Sequence, residues 1–211
     1  MIIYLLLLLI MVFLLYQGIT SSLGYAPKKI KMISVVALTL MLFRYIALII
    51  LFIMKNQSYL YLLKPVVYTN LLCIPICGII SFFIFAKNNK IRLKKKLLFC
   101  IMMCIAYCTV IYKSPANISI SNFCGYSIEL QLEAYCYIVL VIINSIFAIK
   151  GIELFNKSYS NKLGAILIIM SSSITLISVL LTSINTNFAW ILLGDISWIV
   201  TLDYGLIKFK R

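Results

Sequence analysis

Seven times along this chain the residues run apolar, with almost no charge, for close to the length needed to cross a bilayer. Nothing else in the sequence constrains the fold as strongly. At 1.5 Å rise per residue, a helix needs about 20 apolar residues to cross roughly 30 Å of hydrocarbon. The stretches are Ile2–Ile19, Ile33–Met54, Pro65–Ala86, Leu97–Tyr112, Ala134–Ile149, Leu163–Ser183 and Phe188–Ile207. The fourth and fifth are short and are expected to extend by a turn at their ends.

Composition decides whether these stretches meet lipid or one another. Of 211 residues, 64% are hydrophobic and 11% charged, against roughly 45–50% and about 25% in soluble domains. A chain this short cannot hide that excess inside a water-soluble core, because a small globule must cover most of its surface with polar groups. The sequence therefore predicts an all-α, polytopic transmembrane bundle of seven spans, forming one domain over residues 1–211. The first stretch has neither a basic leader nor a small-residue cleavage site, so it reads as a retained helix.

The basic residues give that bundle a direction. Lys28, Lys29 and Lys31 follow the first span, and the run KNNKIRLKKK (87–96) holds six more. Lys150, Lys157 and Lys162 occupy the next alternate loop, and Lys208, Lys210 and Arg211 follow the last span. These are fifteen, against Lys55, Lys64 and Lys113 in the other loops. Loops rich in Lys and Arg stay in the cytoplasm, which predicts an outside N-terminus and a cytoplasmic C-terminus. The Ile184–Asn187 turn carries the weight of the count, since without a reversal there the last two spans would merge. The net charge of +14 is spread between spans rather than gathered on one face, which points to anionic lipid and not to nucleic acid. A bacterial cytoplasmic membrane is the expected setting, and a partner membrane protein or a second copy the expected company.

The longest polar piece, Lys113–Glu133, is predicted outside. Its alternation (Ile118, Ile120, then Ile128, Leu130, Leu132) suits a short hairpin or an interfacial helix.

Several chemistries are disfavoured at once. The chain has no His, which removes the usual base near neutral pH and the commonest metal ligand. It also lacks a Walker loop, a dinucleotide fingerprint and a zincin motif, so no cofactor and no enzymatic activity are expected. An enzyme acting on lipid through Asp195 or Asp203 is the residual catalytic reading.

Cysteine is frequent. Cys73 and Cys77 lie one turn apart on the third span, and Cys100, Cys104 and Cys108 make a stripe on the fourth. If those spans are antiparallel neighbours, Cys73 and Cys77 fall at the depth of Cys104 and Cys100, as a soft-metal site would require. Small apolar residues that let helices approach would give the same spacing. Cys124 and Cys136, both expected at the outer face, are candidates for a disulfide.

Polar residues inside the spans are the remaining signal. Gly164, Ser171, Thr175, Ser178 and Thr182 fall within about 60° of one another on a helix, a stripe that suits close helix packing or a polar pathway. Arg44 lies in the middle of the second span, where a charge costs at least ~2.5–3.5 kcal/mol on insertion scales and must find a partner. Its expected depth, roughly 15 Å below the outer boundary, falls between Asp195 at about 10 Å and Asp203 at about 22 Å. The three form a candidate intramembrane charge network. It reads either as a fixed ion pair that sets packing or as two carboxylates exchanging one guanidinium. Pro75 and Asn144 add a kink and a further buried polar group, and Trp198, one turn from Asp195, is placed to cover it.

The architecture is similar to the seven-helix sensor modules found with bacterial histidine kinases, a similarity of layout without a shared motif. Microbial rhodopsins offer the same count, but the last span has no lysine inside the bilayer to carry retinal. The sequence therefore points to a sensory or accessory membrane subunit, with a small proton- or cation-coupled transporter or channel as the alternative.

Overall fold

The computed structural model describes residues 2–54, 60–86, 93–121, 125–158, 160–184 and 190–210. They form a helical bundle with one β-hairpin. The helices are α1 (Ile2–Tyr25), α2 (Lys28–Ile53), α3 (Lys64–Val67), α4 (Asn70–Ala86), α5 (Leu93–Lys113), α6 (Glu133–Phe155), α7 (Lys162–Ile184) and α8 (Ile191–Ile207). Short 3-10 turns at Leu60–Leu63 and Lys208–Lys210 extend α3 and α8.

Among the described residues, five helical stretches are long and apolar enough to cross a membrane: Ile2–Tyr25, Ile30–Ile53, Leu60–Ala86, Glu133–Phe155 and Lys162–Ile184. The helices overrun the apolar windows at their lysine-rich ends. α2 begins at Lys28 instead of Ile33, and α6 continues through Lys150 to Phe155. The reason is physical. Hydropathy marks where hydrocarbon ends, whereas a helix stops where its backbone bonding or capping stops.

The third stretch is not one continuous helix. Pro65 has no N–H and fits most easily in the first turn of a helix, and α3 begins one residue before it. The chain then turns at Tyr68 and Thr69 and restarts. The Thr69 carbonyl accepts from the backbone N–H groups of Leu72 (3.1 Å) and Cys73 (2.9 Å). Pro75 lies inside α4 without ending it.

Helix directions follow from the contacts. α7 and α8 run antiparallel, since the Ser197 hydroxyl points at the Ser171 carbonyl (3.4 Å) and the Thr201 hydroxyl at that of Leu167 (3.5 Å). α8 is the central helix, packed against α1, α4 and α7. Ten of its residues are buried, from Leu192 to Leu206. The main core gathers Leu8, Met11, Leu15, Leu38, Met41 and Trp198, with Phe85 and Leu202. The outer faces of α1, α6 and α7 remain apolar and uncovered, as at Phe13, Ile142 and Met170. Apolar surfaces of that extent suit lipid.

Lys113–Glu133 contains the hairpin. β1 (Ala116–Ser121) pairs antiparallel with β2 (Gly125–Leu130), with Ile118 opposite Ile128 and Ser119 opposite Ser127. Gly125 has φ +76, and a Cβ there would meet the Phe52 backbone at 3.2 Å. The hairpin can therefore lie directly on the end of α2. Ile128 and Leu130 enter a second core with Ala47, Leu51, Leu60 and Val67. The molecule thus has a hairpin end and a lysine-rich end.

Candidate functional site

Arg44 is built into the middle of α2 and is 6% exposed, while Asp195, in the first part of α8, is fully buried. The two form an ion pair through Arg44 Nη1 and Asp195 Oδ2. Tyr45 completes the arrangement. Its hydroxyl donates to the same Oδ2 (2.7 Å) and accepts from Arg44 Nη1 (3.2 Å). Arg44 Nε donates to the Val67 carbonyl (2.7 Å), at the last residue of α3.

That last bond ties the charge to the helix interruption. Where a helix stops inside a bundle its final carbonyls lose their intrahelical partners, which is tolerable only where other groups replace them. Here Arg44 serves Val67, the Tyr107 hydroxyl serves the Pro65 carbonyl, and Lys64 Nζ serves the Ser114 carbonyl. The Tyr68 hydroxyl donates to the Ile128 carbonyl of the hairpin (2.6 Å) and to Glu133 (3.2 Å), which also receives the Tyr137 hydroxyl. One broken segment thereby binds α2, α5, the hairpin and α6 into a single polar frame.

Between this frame and α7 lies a cavity of about 960 Å³. Its walls come from the hairpin, the first turns of α6, the last turns of α7 and the start of α8, with Tyr4 of α1, Arg44 and Leu48 of α2, and Asn70 completing them. The lining is mainly apolar, with polar points at Tyr68, Glu133, Tyr137 and Thr182. Asn70 Oδ1 is buried with no hydrogen-bond partner among the described residues.

Asp203 does not join the pair. It sits two turns beyond Asp195 on α8, about 12 Å along the axis. It is 5% exposed and lies against Gly18 of α1. Neither of its carboxylate oxygens has a hydrogen-bond partner among the described residues. The three-residue network therefore divides into a bonded pair near the hairpin end and a separate carboxyl toward the lysine-rich end. Lys208, the basic group next along the chain, lies over the Tyr204 ring at 5.9 Å.

The stripe on α7 faces α8. Gly194 lies so close to Thr175 that a Cβ there would meet it at 3.2 Å. Gly164 holds the Phe85 ring in the same way. The hydroxyls of Thr175, Ser178 and Thr182 donate to carbonyls one turn back, and that of Ser171 to Ile168. Only Thr182 of the five reaches the cavity wall. Trp198 turns to α6, where its Nε1 donates to Asn144 Oδ1 (3.0 Å) and its ring meets Phe147 edge-on.

Cys73 and Cys77 are buried on α4, Cys100 is half-buried, and Cys104 and Cys108 are exposed on α5. Among the described residues, no three Cys, Asp or Glu side chains converge as metal ligands. Cys136 is buried on α6, while Cys124, its candidate disulfide partner, lies outside the described residues.

Sequence reasoning missed Tyr45, the Val67 carbonyl and the Tyr68–Glu133–Tyr137 cluster. The Lys64-Pro65 pair was the available signal for the break, since proline favours the first turn of a helix. Nothing local marks Tyr45, which differs from other tyrosines only in what folds against it. Comparison with protein-family models and with curated protein sequences finds no match for this chain.

Proposed function

We propose that the chain is a seven-span protein of the bacterial cytoplasmic membrane, without enzymatic activity, that works as the sensory or accessory subunit of a larger assembly. In this reading the N-terminus and the hairpin lie outside, and the lysine-rich end faces the cytoplasm. α5 and α8 supply the fourth and seventh spans beside the five long apolar stretches. α8 is short because it is sheathed by its neighbours, and with its 3-10 extension it covers about 30 Å of depth. The lysine asymmetry supports the orientation.

The observation that carries the sensory reading is the cavity under the hairpin, whose wall includes Arg44, the basic member of the buried ion pair. A pocket of this size, apolar with a few polar points, suits a small amphiphile. Such a ligand would touch the hairpin, α6, α7 and α8 together, so its binding would bias their packing. In native mass spectrometry of the full chain released from membranes, the reading expects a retained small molecule that is lost in Leu48→Trp. Bare protein in both cases would contradict it.

A second reading, a proton- or cation-coupled transporter, is favoured by one feature. The broken third span places irregular backbone beside an intramembrane charge, as ion-handling proteins do. Proteoliposomes carrying a pH-sensitive dye separate the two. The sensory reading expects no protein-dependent proton flux, and flux abolished by Asp203→Asn would establish transport instead.

A further inference from the structure

The Arg44–Asp195 pair accounts for one of the two aspartates in the chain. The other, Asp203, is buried at the junction of α1, α2 and α8, and its surroundings are of a different kind. α1 presents Gly18 to it, and a Cβ at Gly18 would lie 2.4 Å from Asp203 Oδ1 and 3.2 Å from Leu38 of α2. The carboxyl therefore rests on the bare backbone of α1, in a space that exists because the residue there is glycine.

Among the described residues, no charge compensates it. α1 brings Gly18 to it and α2 brings Leu38. The buried Ser22 of α1 and Ser34 of α2 lie a turn away, bonded to each other, and the ion-paired Arg44 lies at the level of Asp195. From α4 the nearest titratable group is the buried Cys77 thiol. α7 has no titratable residue between Lys162 and its end. On the 3-10 turn that follows α8, Lys208 lies over the Tyr204 ring. Both oxygens of Asp203 lack a hydrogen-bond partner among the described residues.

An ionised carboxylate without partner or water is not sustainable in such a place; the group either pairs or becomes neutral. We propose that Asp203 is a proton-binding site, a neutral carboxylic acid at physiological pH, distinct from the ion pair two turns above it. Its ionisation needs water or a cation to enter between α1 and α8, so proton occupancy and the closure of that seam are linked. The proton is the ligand, and it is released when the seam opens. This inference rests on the packing at Gly18 and holds under either reading of the cavity.

The chain contains only two aspartates, which makes the native protein its own test. Full-length protein labelled with carboxyl carbon-13 aspartate, reconstituted in lipid at neutral pH, should give two carboxyl signals in solid-state NMR. One is a carboxylate, from Asp195, and one a protonated acid. Asp203→Asn should remove the acid signal and leave the carboxylate. Asp195→Asn provides the converse assignment if the first variant fails to fold. Opening the seam with Gly18→Leu should convert the acid signal toward carboxylate. Two carboxylate signals in the native protein would overturn the proposal, as would an acid signal that survives Asp203→Asn.

Discussion

At the level of single residues, the energetics centre on Arg44, Tyr45 and Asp195. Removing one member of a buried pair leaves the other charge uncompensated, so Asp195→Ala is expected to destabilise the protein by about 3–5 kcal/mol. The double variant Arg44→Met with Asp195→Leu should recover most of that loss, because well-packed apolar residues can replace a buried pair. Equilibrium unfolding in mixed micelles measures both, and a double variant no better than the single one would show that the pair has another role. Tyr45→Phe should cost less, about 0.6–1.7 kcal/mol, the range for hydrogen bonds between membrane helices. The pairing of Arg44 was partly legible in the sequence, since a mid-span charge demands a partner and depth arithmetic offered two. Which aspartate it takes was not legible. That depends on the rotation of α8 and on the space at Gly18, and both are properties of packing.

For the helices, the glycines distinguish seams from lipid-facing surface. Gly164 has the Phe85 ring where its Cβ would be, at 2.3 Å, so Gly164→Ala forces α4 and α7 apart and should cost about 1–3 kcal/mol. Gly24, also helical, has nothing within 4 Å of the same position. Gly24→Ala should be neutral or slightly stabilising, through helix propensity alone. A thermal-shift comparison of the two in one detergent checks the contrast. Helix existence and the α7 stripe were readable from hydropathy and 100° periodicity. The turn at Tyr68 and Thr69 was not, because the carbonyls of Val67 and Pro65 before it are satisfied by Arg44 and Tyr107 from distant parts of the chain. The hairpin was one of two readings that its alternation allowed, and docking on α2 through Ile128 and Leu130 decides between them.

For the molecule as a whole, the bundle has one end organised by a polar frame and a cavity and another by lysines. Hydropathy and composition made the class of fold legible, a helical bundle with membrane-length apolar helices. The cavity was invisible to both, since its walls come from six separated segments that no local pattern links. On the proposed orientation, a cavity open on the hairpin side makes its wall reachable from outside the cell and leaves buried core unreachable. The direct measurement is thiol labelling of intact cells with a membrane-impermeant reagent, in a chain whose native cysteines are replaced. Leu48→Cys, on the cavity wall, should label from outside, Ser127→Cys on the hairpin should label faster, and Ser81→Cys in the closed core should stay unlabelled. If Leu48→Cys labels only after the cytoplasmic face is exposed, or stays dark while Ser127→Cys labels, then the outward-facing ligand cavity is contradicted.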